Sequence, residues 1–574
     1  MWWATAVVGL NLLLGYAGLL SLGHHVFFLY GGFVGAVWAV EDWGLDPWLG
    51  FPAAFLAGMV FGALLALTCC HLRGFYLTVV TLAFALISTS IALLFDGAFG
   101  GLGGRTVAEP LDTAFSWIPA DNPHRYLVGL YWIGAALLVI AVYVSWNLVH
   151  SRWGRAYQAI RESELAARSC GVNTYWYKVS AFSVSAGLVS LAGVLAAQTT
   201  LQVAVLDGTQ TIGQSFRYVI YLFFGGLGTL AGPVVGAFVF TLGFGVDLGG
   251  KSTSEWLGRS EQLVLGVLVV VNAILLPRGL VGQVRHLRER RRPARRPGPA
   301  RPLPEELARP RPRPRPGTAE AGPLLSVSGL TKRFGGLAAL SAVDLAVAPG
   351  TVHALIGPNG SGKSTFVNVV TGFYRPDAGQ VSFHGRDVAG LPPHRASQAG
   401  LARTFQGCQI WRRMTVLENV MVGAHSRTRY GLARSMVLPE PARAEERQVR
   451  DRARGLLRFV GLEDRADVRA DALPFADQRR LEIARALAGD PDLLLLDEPA
   501  AGMHPNDLHE LADLIRTVRD EGVTVLLIEH HMELVMALSD VVAVLDYGEK
   551  IAEGTPDAVR ADPRVVQAYL GDHA

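Results

Sequence analysis

Eight apolar runs fill the first half of the chain: Trp2–Leu20, Val26–Val40, Pro52–Cys70, Phe75–Phe95, Leu127–Val149, Val179–Gln198, Ile212–Val246 and Gln262–Pro277. Several reach the ~20 residues a helix needs to cross ~30 Å of hydrocarbon, so the series predicts a polytopic α-helical membrane domain. The first run lacks the basic flank of a secretion signal, and its Asn11, Gly15 and Gly18 suit helix packing; it is read as a span. After Pro277 the pattern changes. Short β-like runs begin at Leu324, and buried-strand patterns such as VHALI and VTVLLI follow, as in an α/β domain.

Basic residues orient the spans. Arg152, Arg155, Arg161, Arg168 and Lys178 lie between Val149 and Val179, and an Arg-rich segment follows the last run; the positive-inside tendency places both in the cytoplasm. An even number of crossings must separate them. Val179–Gln198 and Gln262–Pro277 supply two, so Ile212–Val246, about 52 Å as a straight helix, crosses twice or not at all. Its centre, GGLGTLAGP from Gly225 to Pro233, suits a broken hairpin covered by protein neighbours. Counting backwards puts a His24/His25 loop and Arg73 inside and Glu41, Asp42 and Asp46 outside. The expectation is about nine crossings, N-terminus out and C-terminus in.

The cytoplasmic loop SRWGRAYQAIRESELAARSCGV, Ser151 to Val172, alternates Arg, Glu and Ala with helical spacing and stops at Gly171. A topology-setting interfacial helix is the simplest reading. With a motor domain on the same chain, Arg161, Glu162, Ala166, Ala167 and Gly171 become a coupling helix that the motor grips. Arg217 is an expensive charge inside a hydrophobic segment; it marks the solute path or snorkels to the outer interface.

Composition sharpens the partition. The 574 residues are 50% hydrophobic and 18% charged, with a mean hydropathy of +0.29, which argues against a wholly soluble enzyme. Basic and acidic residues number 13 and 13 over 1–285, 11 and 4 over 286–323, and 28 and 32 over 324–574. The net charge of +3 therefore hides +7 on a Pro/Arg tether, expected as a semi-rigid polyproline-like linker at the inner membrane surface, against −4 on 324–574. Global basicity for nucleic acid is excluded. Cys69, Cys70, Cys170 and Cys408 are too few and too irregularly spaced for a disulfide framework or a metal site.

The soluble part carries its chemistry in short motifs. VHALI is followed by Gly357, Pro358, Asn359, Gly360, Ser361, Gly362, Lys363, Ser364 and Thr365 and then an apolar helix, the strand, GxxxxGK[ST] loop and helix order of a phosphate-binding loop. Glycines admit phosphate oxygens to backbone N–H groups, Lys363 neutralises the β- and γ-phosphates, and Ser364 ligates Mg²⁺. LLLLDEP ends a buried strand on Asp497, suited to orient Mg²⁺, and Glu498, suited to polarise the attacking water. VTVLLIEHH ends on His530 and His531, a donor position for the γ-phosphate.

GPNGSGKST, Gln406 in ARTFQ, LPFADQRRLEIARAL, LLLLDEP and IEH occur in the order found in ATP-binding cassette proteins, which 324–574 resembles along its whole length. The resemblance implies that Phe334 in KRFGG stacks on adenine and that Gln406 links the Mg²⁺ site to the membrane domain. It makes Glu498 the general base and His530 the switch histidine. The signature, Leu473, Pro474, Phe475, Ala476, Asp477 and Gln478, would cover ATP held by the opposite subunit.

ADQRRLEIARAL, DEPAAGMHP, LLIEHHMELVM and AYLGDHA resemble the ATPase of branched-chain amino acid uptake systems. Separately, GLNLLLGYAGLLSLGH, LRGFYLTVVTLAFA, GRAYQAIRESELAARSCGVN and GGLGTLAGPVVGA resemble that system's permease. The chain is thus similar to a permease (1–285) fused through a linker (286–323) to an ATP-binding cassette domain (324–574). Three departures stand out. Only eight residues precede GLNLLLGYAG, where the family often has another hydrophobic segment. Ala476 replaces a usual glycine, and His531 stands where Asp is commoner.

The resemblance implies ATP- and Mg²⁺-dependent uptake across the cytoplasmic membrane, with the ATPase in the cytoplasm. Its expected partners are a second permease and a second ATP-binding subunit, a soluble substrate-binding protein, a small solute and the bilayer, with no nucleic acid. Urea, short-chain amides or other amino acids are alternative cargoes. An exporter half-transporter or a non-transporting membrane ATPase is the rival class; the single short cytoplasmic loop and intact Lys363, Glu498 and His530 speak against these.

Overall fold

A computed structural model describes residues 1–72, 74–107, 110–111, 117–119, 122, 124–205, 208–245, 261–291 and 322–570. The expectations for Arg73, the linker between Arg292 and Ala321, and the final GDHA lie outside the described residues. Two compact units emerge, one drawn from Met1–Arg161, Tyr175–Arg296 and Gly431–Leu438, the other from Glu162–Thr174, Pro297–Tyr430 and Pro439–Ala574. The division thus falls inside the segment 151–172, between Arg161 and Glu162.

The first unit is built of apolar helices. Among the described residues, Pro47–Cys69, Phe75–Leu94, Arg125–Val149 and Thr174–Thr200 are long and apolar enough to cross a membrane. The most apolar stretch of Thr174–Thr200 is 100% buried, against 33–39% for the other three, so this helix is the axis around which the unit packs. Small residues allow that packing: a Cβ on Gly62 would lie 2.9 Å from the Phe182 carbonyl oxygen. Strands β1 (Arg105–Thr106) and β2 (Gln202–Val203) pair antiparallel. Arg105 also bridges to Glu41 at 2.6 Å and Asp42 at 3.3 Å.

Several apolar runs are interrupted. Helix Trp2–Leu10 widens into a π-helical turn over Asn11–Tyr16, and His24–Gly32 widens likewise over Phe33–Asp42. Ile212–Val246 forms two helices, Gly208–Gly225 and Gly232–Gly245, around the glycine-rich turn. The expected His24/His25 loop is corrected: both residues open a helix and are buried. His24 hydrogen-bonds Ser21 and Ser185 at 2.8 Å each, and His25 meets the Tyr218 hydroxyl at 3.1 Å. Burial among hydroxyls, not solvent, thus decides their position.

The second unit has two sheets. Strands β3 (Leu325–Phe334), β4 (Leu337–Val347), β6 (Ala378–Phe383) and β7 (Arg386–Asp387) form an antiparallel sheet in the order β4-β3-β6-β7. The other contains β5 (Val352–Ile356), β8 (Leu401–Arg403), β9 (Leu493–Asp497), β10 (Thr524–Ile528), β11 (Val541–Asp546) and β12 (Glu549–Gly554). Its order is β12-β11-β5-β10-β9-β8, parallel except for β12. Every residue of β5, β9 and β10 is buried, as uninterrupted apolar strands covered on both faces require. Their carboxyl ends lie along one edge, the usual place for ligand chemistry in such sheets.

Candidate functional site

The phosphate loop leaves β5 at Gly357 and enters helix Lys363–Val370. Gly357 has φ +150° and Gly362 φ +102°; a side chain at Gly357 would overlap the Leu545 carbonyl, so the backbone itself forms the cradle. Lys363 Nζ donates to the Gly357 and Pro358 carbonyls at 2.7 and 2.8 Å. Burial lowers its pKa, opposed by the carboxylates of Glu498 and Asp497. Asn359, Gly360 and Ser364 are exposed, Ser361 is buried, and Thr365 is half-buried. A cleft of about 540 Å³ runs along Pro358, Asn359, Gly360 and Ser361 toward Tyr547 and Arg564.

Three other predicted residues converge beside this loop. Gln406 Nε2 donates to Glu498 Oε2 at 3.1 Å, and His530 Nδ1 lies 3.8 Å from the same oxygen. Glu498 adopts φ +47°, an uncommon conformation for a residue with a Cβ and one that concentrates at functional sites. Its amide donates to the Ile528 carbonyl at 2.8 Å, tying the base candidate to the strand that precedes His530. Asp497 is buried, with Oδ2 accepting from Arg403 at 2.7 Å. Phe334 lies at the open end of β3, 45% exposed and edge-on to Tyr374 with centroids 5.3 Å apart.

The signature opens a helix, Phe475–Leu487, with Pro474 as its N-cap and Leu473 buried beneath. Gln478 Nε2 donates back to the Leu473 carbonyl at 2.8 Å, and Asp477 pairs with Arg465. Ala476 is half-buried near the helix start. The same helix holds the glutamine loop: Arg479 donates to the carbonyls of Phe405 and Gln406, each at 3.1 Å, while Glu482 accepts from the Phe405 amide at 3.2 Å.

The expected single helix over 151–172 is two. Arg152–Glu162 and Glu164–Ser169 are separated by Ser163, whose extended backbone and hydroxyl, accepting from the Ala166 amide at 3.2 Å, cap the second helix. Within the second unit, Glu162 accepts from the Arg413 amide at 3.1 Å, Ser163 donates to Gln409 at 3.1 Å, and Ala166 and Ala167 are buried. Gly171 takes φ +83°, and a Cβ there would sit 3.1 Å from Ser426 Cβ. Arg161 belongs to the first unit.

Sequence reasoning missed three supporting groups. Arg403 donates to Asn368 at 2.6 Å as well as Asp497, and its guanidinium lies 5.7 and 5.0 Å from the Phe373 and Phe405 rings. Glu529, fully buried, accepts from the Ala500, His530 and His531 amides at 2.7, 3.0 and 3.3 Å. Tyr569 lies beside the phosphate loop, where the Gly357 backbone opposes the rise in its pKa that burial causes. The signal for Glu529 was present: a carboxylate at the end of an apolar strand needs donors.

The groups present fit a magnesium nucleotide. A glycine-built cradle offers backbone N–H groups, Lys363 offers a cation, and Ser364, Gln406 and Asp497 are the hard oxygen donors that Mg²⁺ prefers. Phosphate loop, carboxylate pair, glutamine and histidine on one parallel-sheet edge define a nucleotide-hydrolysing cassette.

Residues 1–272 match the family model for the permease component of branched-chain amino acid transport systems, 340–501 that of ABC transporters, and 549–574 that of branched-chain amino acid ATP-binding cassette transporters. Relatives include the high-affinity branched-chain amino acid transport ATP-binding proteins LivG of Escherichia coli K12 and BraF of Pseudomonas aeruginosa. Each is 43% identical over 44% of this chain and 98% of its own length. A nucleotide-free ATP-binding cassette of an ABC transporter, solved by crystallography, is 35% identical over 44% of this chain and all of its own, with a TM-score of 0.39. The chain belongs to the branched-chain amino acid ATP-binding cassette transporter family, with a permease domain and an ATP-hydrolysing domain in one polypeptide.

Proposed function

We propose that this chain is the fused permease and ATPase subunit of an importer of branched-chain amino acids in the cytoplasmic membrane. The observation that carries the reading is the pairing of a branched-chain permease match over 1–272 with a branched-chain cassette match at 549–574 in one polypeptide. The permease domain spans 1–285 with about nine crossings, the tether 286–323, and the cassette 324–574. A second permease and a second cassette complete the transporter, and a soluble binding protein delivers the solute.

In the cassette, Phe334 stacks on adenine while the loop from Gly357 to Thr365 wraps the phosphates. Ser364, Gln406 and Asp497 hold Mg²⁺, which when bound neutralises phosphate charge. Glu498 takes the proton of the attacking water, and its contact with Gln406 orients it in advance. His530 donates toward the γ-phosphate. Leu473–Gln478 covers ATP on the opposite cassette, so closure of the pair drives the 162–174 segment and reorients the pore.

Reconstitution with a homologous permease, a cassette subunit and a binding protein tests the reading. Leucine uptake should require ATP, Mg²⁺ and the external binding protein, and excess isoleucine or valine should suppress it. Urea or short-chain amides competing instead would reassign the cargo. ATP-driven efflux, or hydrolysis with no solute movement, would overturn import.

A further inference from the structure

The first helix ends inside the membrane unit, where its last carbonyls need partners because an unpaired one is costly in a low-dielectric setting. The π-helical turn closes at Tyr16, with Ala17 and Leu19 amides bonded back to Leu12 and Leu13 at 3.2 and 3.0 Å. The Gly15 carbonyl, by contrast, receives the guanidinium of Arg161, 146 residues later. A cation at a helix C-terminus is also where the helix dipole favours it.

The same point gathers the broken hairpin. Asn11, one turn earlier, donates to the Thr229 carbonyl and accepts from the Gly228 amide, both at 2.9 Å. Two glycines make room. Gly18, at φ +72°, lies under the Arg161 side chain, where an added Cβ would be 2.6 Å from Cγ; one on Gly228, at φ +71°, would be 3.4 Å from Arg161 Nη1 and 3.0 Å from the Gly15 carbonyl. Arg161 is also the last residue of its unit in the cytoplasmic loop, since Glu162 belongs to the other.

We propose that Arg161 is the positioning residue that transmits movement of the 162–174 segment to the membrane unit, by clamping the end of the first helix to the Gly226–Ala231 turn. A displacement of Glu162 is carried along one peptide bond to a side chain that bonds the Gly15 carbonyl and lies against Gly228 of the turn. Helix end and hairpin turn then move together, because Asn11 couples them directly.

The inference rests on the import reading, and the test separates the two. In proteoliposomes holding the full chain with its partner subunits and binding protein, leucine uptake and ATP hydrolysis are measured together. Arg161→Ala should lower the leucine imported per ATP at least tenfold while hydrolysis stays within about twofold, and Arg161→Lys should recover at least half the ratio. An unchanged ratio, or uptake and hydrolysis falling in step, overturns the clamp. If the unsubstituted complex hydrolyses ATP without importing leucine, the import reading fails. The clamp is then judged by ATP-driven change in maleimide labelling of Leu227→Cys: its loss in Arg161→Ala supports it, its persistence overturns it.

Discussion

Gln406 donates its side-chain amide to the Glu498 carboxylate at 3.1 Å, joining the loop after β8 to the end of β9. The contact places the base candidate before nucleotide arrives, so removal of its carboxylate affects turnover far more than binding. Glu498→Gln should cut steady-state phosphate release by roughly 10²- to 10⁴-fold while nucleotide affinity stays close to that of the parent. Lys363→Ala should show the opposite division, weakening nucleotide affinity by about 10- to 100-fold through loss of a charged hydrogen-bond donor. Phosphate release and fluorescent-nucleotide titration distinguish them, and unchanged hydrolysis in Glu498→Gln would remove it from the chemistry.

The Ala476 methyl stands near the start of the signature helix, where backbone approach to the partner's γ-phosphate is expected. Ala476→Gly should maintain or raise ATPase activity in the assembled transporter. A clear fall would show that this site's geometry uses the methyl group.

Arg403 and Asp497 form a pair with side chains 7% and 4% exposed. Breaking a buried pair from one side costs about 3–5 kcal/mol because the remaining charge is uncompensated. Arg403→Ala should therefore lower the melting temperature of the nucleotide unit in the purified full chain by on the order of 10 °C. A shift of a degree or less would mean that Asp497 finds another partner.

Burial, reinforced by the Glu482 carboxylate, pushes the Cys408 thiol up to about 12. At pH 8 such a thiol is ionised in about one molecule in ten thousand, against roughly one in four for an ordinary cysteine. Iodoacetamide should leave Cys408 largely unmodified in the folded chain and alkylate it rapidly in denaturant, as peptide mass mapping would show. Rapid labelling in the native state would contradict the burial.

What was legible in the sequence is what short stretches of chain encode. The phosphate loop, the DEP strand end and the IEH strand end each announce themselves within ten residues, because glycine spacing or an apolar run stopping at an acid is local. Arg403 was not legible: its partner Asp497 is 94 residues away, and only the pairing of β8 with β9 brings them together. The break at Ser163 left a weak trace, a serine three residues before the amide it caps, hidden by helical periodicity on both sides. The interruption of the first helix was visible as Gly15 and Gly18, but the cation that bonds its end, Arg161, lies 146 residues away.

Strand register gives the motor its metric. Asp497 pairs with Ile528 across β9 and β10, and Ile528 with Leu355 across β10 and β5. Neighbouring strands lie about 4.8 Å apart, so base, histidine and phosphate loop are spaced by backbone hydrogen bonds rather than by their own contacts. Exchanging a side chain retunes one step of the reaction. A two-residue slip of β9 would instead carry the base about 7 Å along the sheet with every side chain still facing its proper side, leaving a well-packed domain that no longer spends ATP.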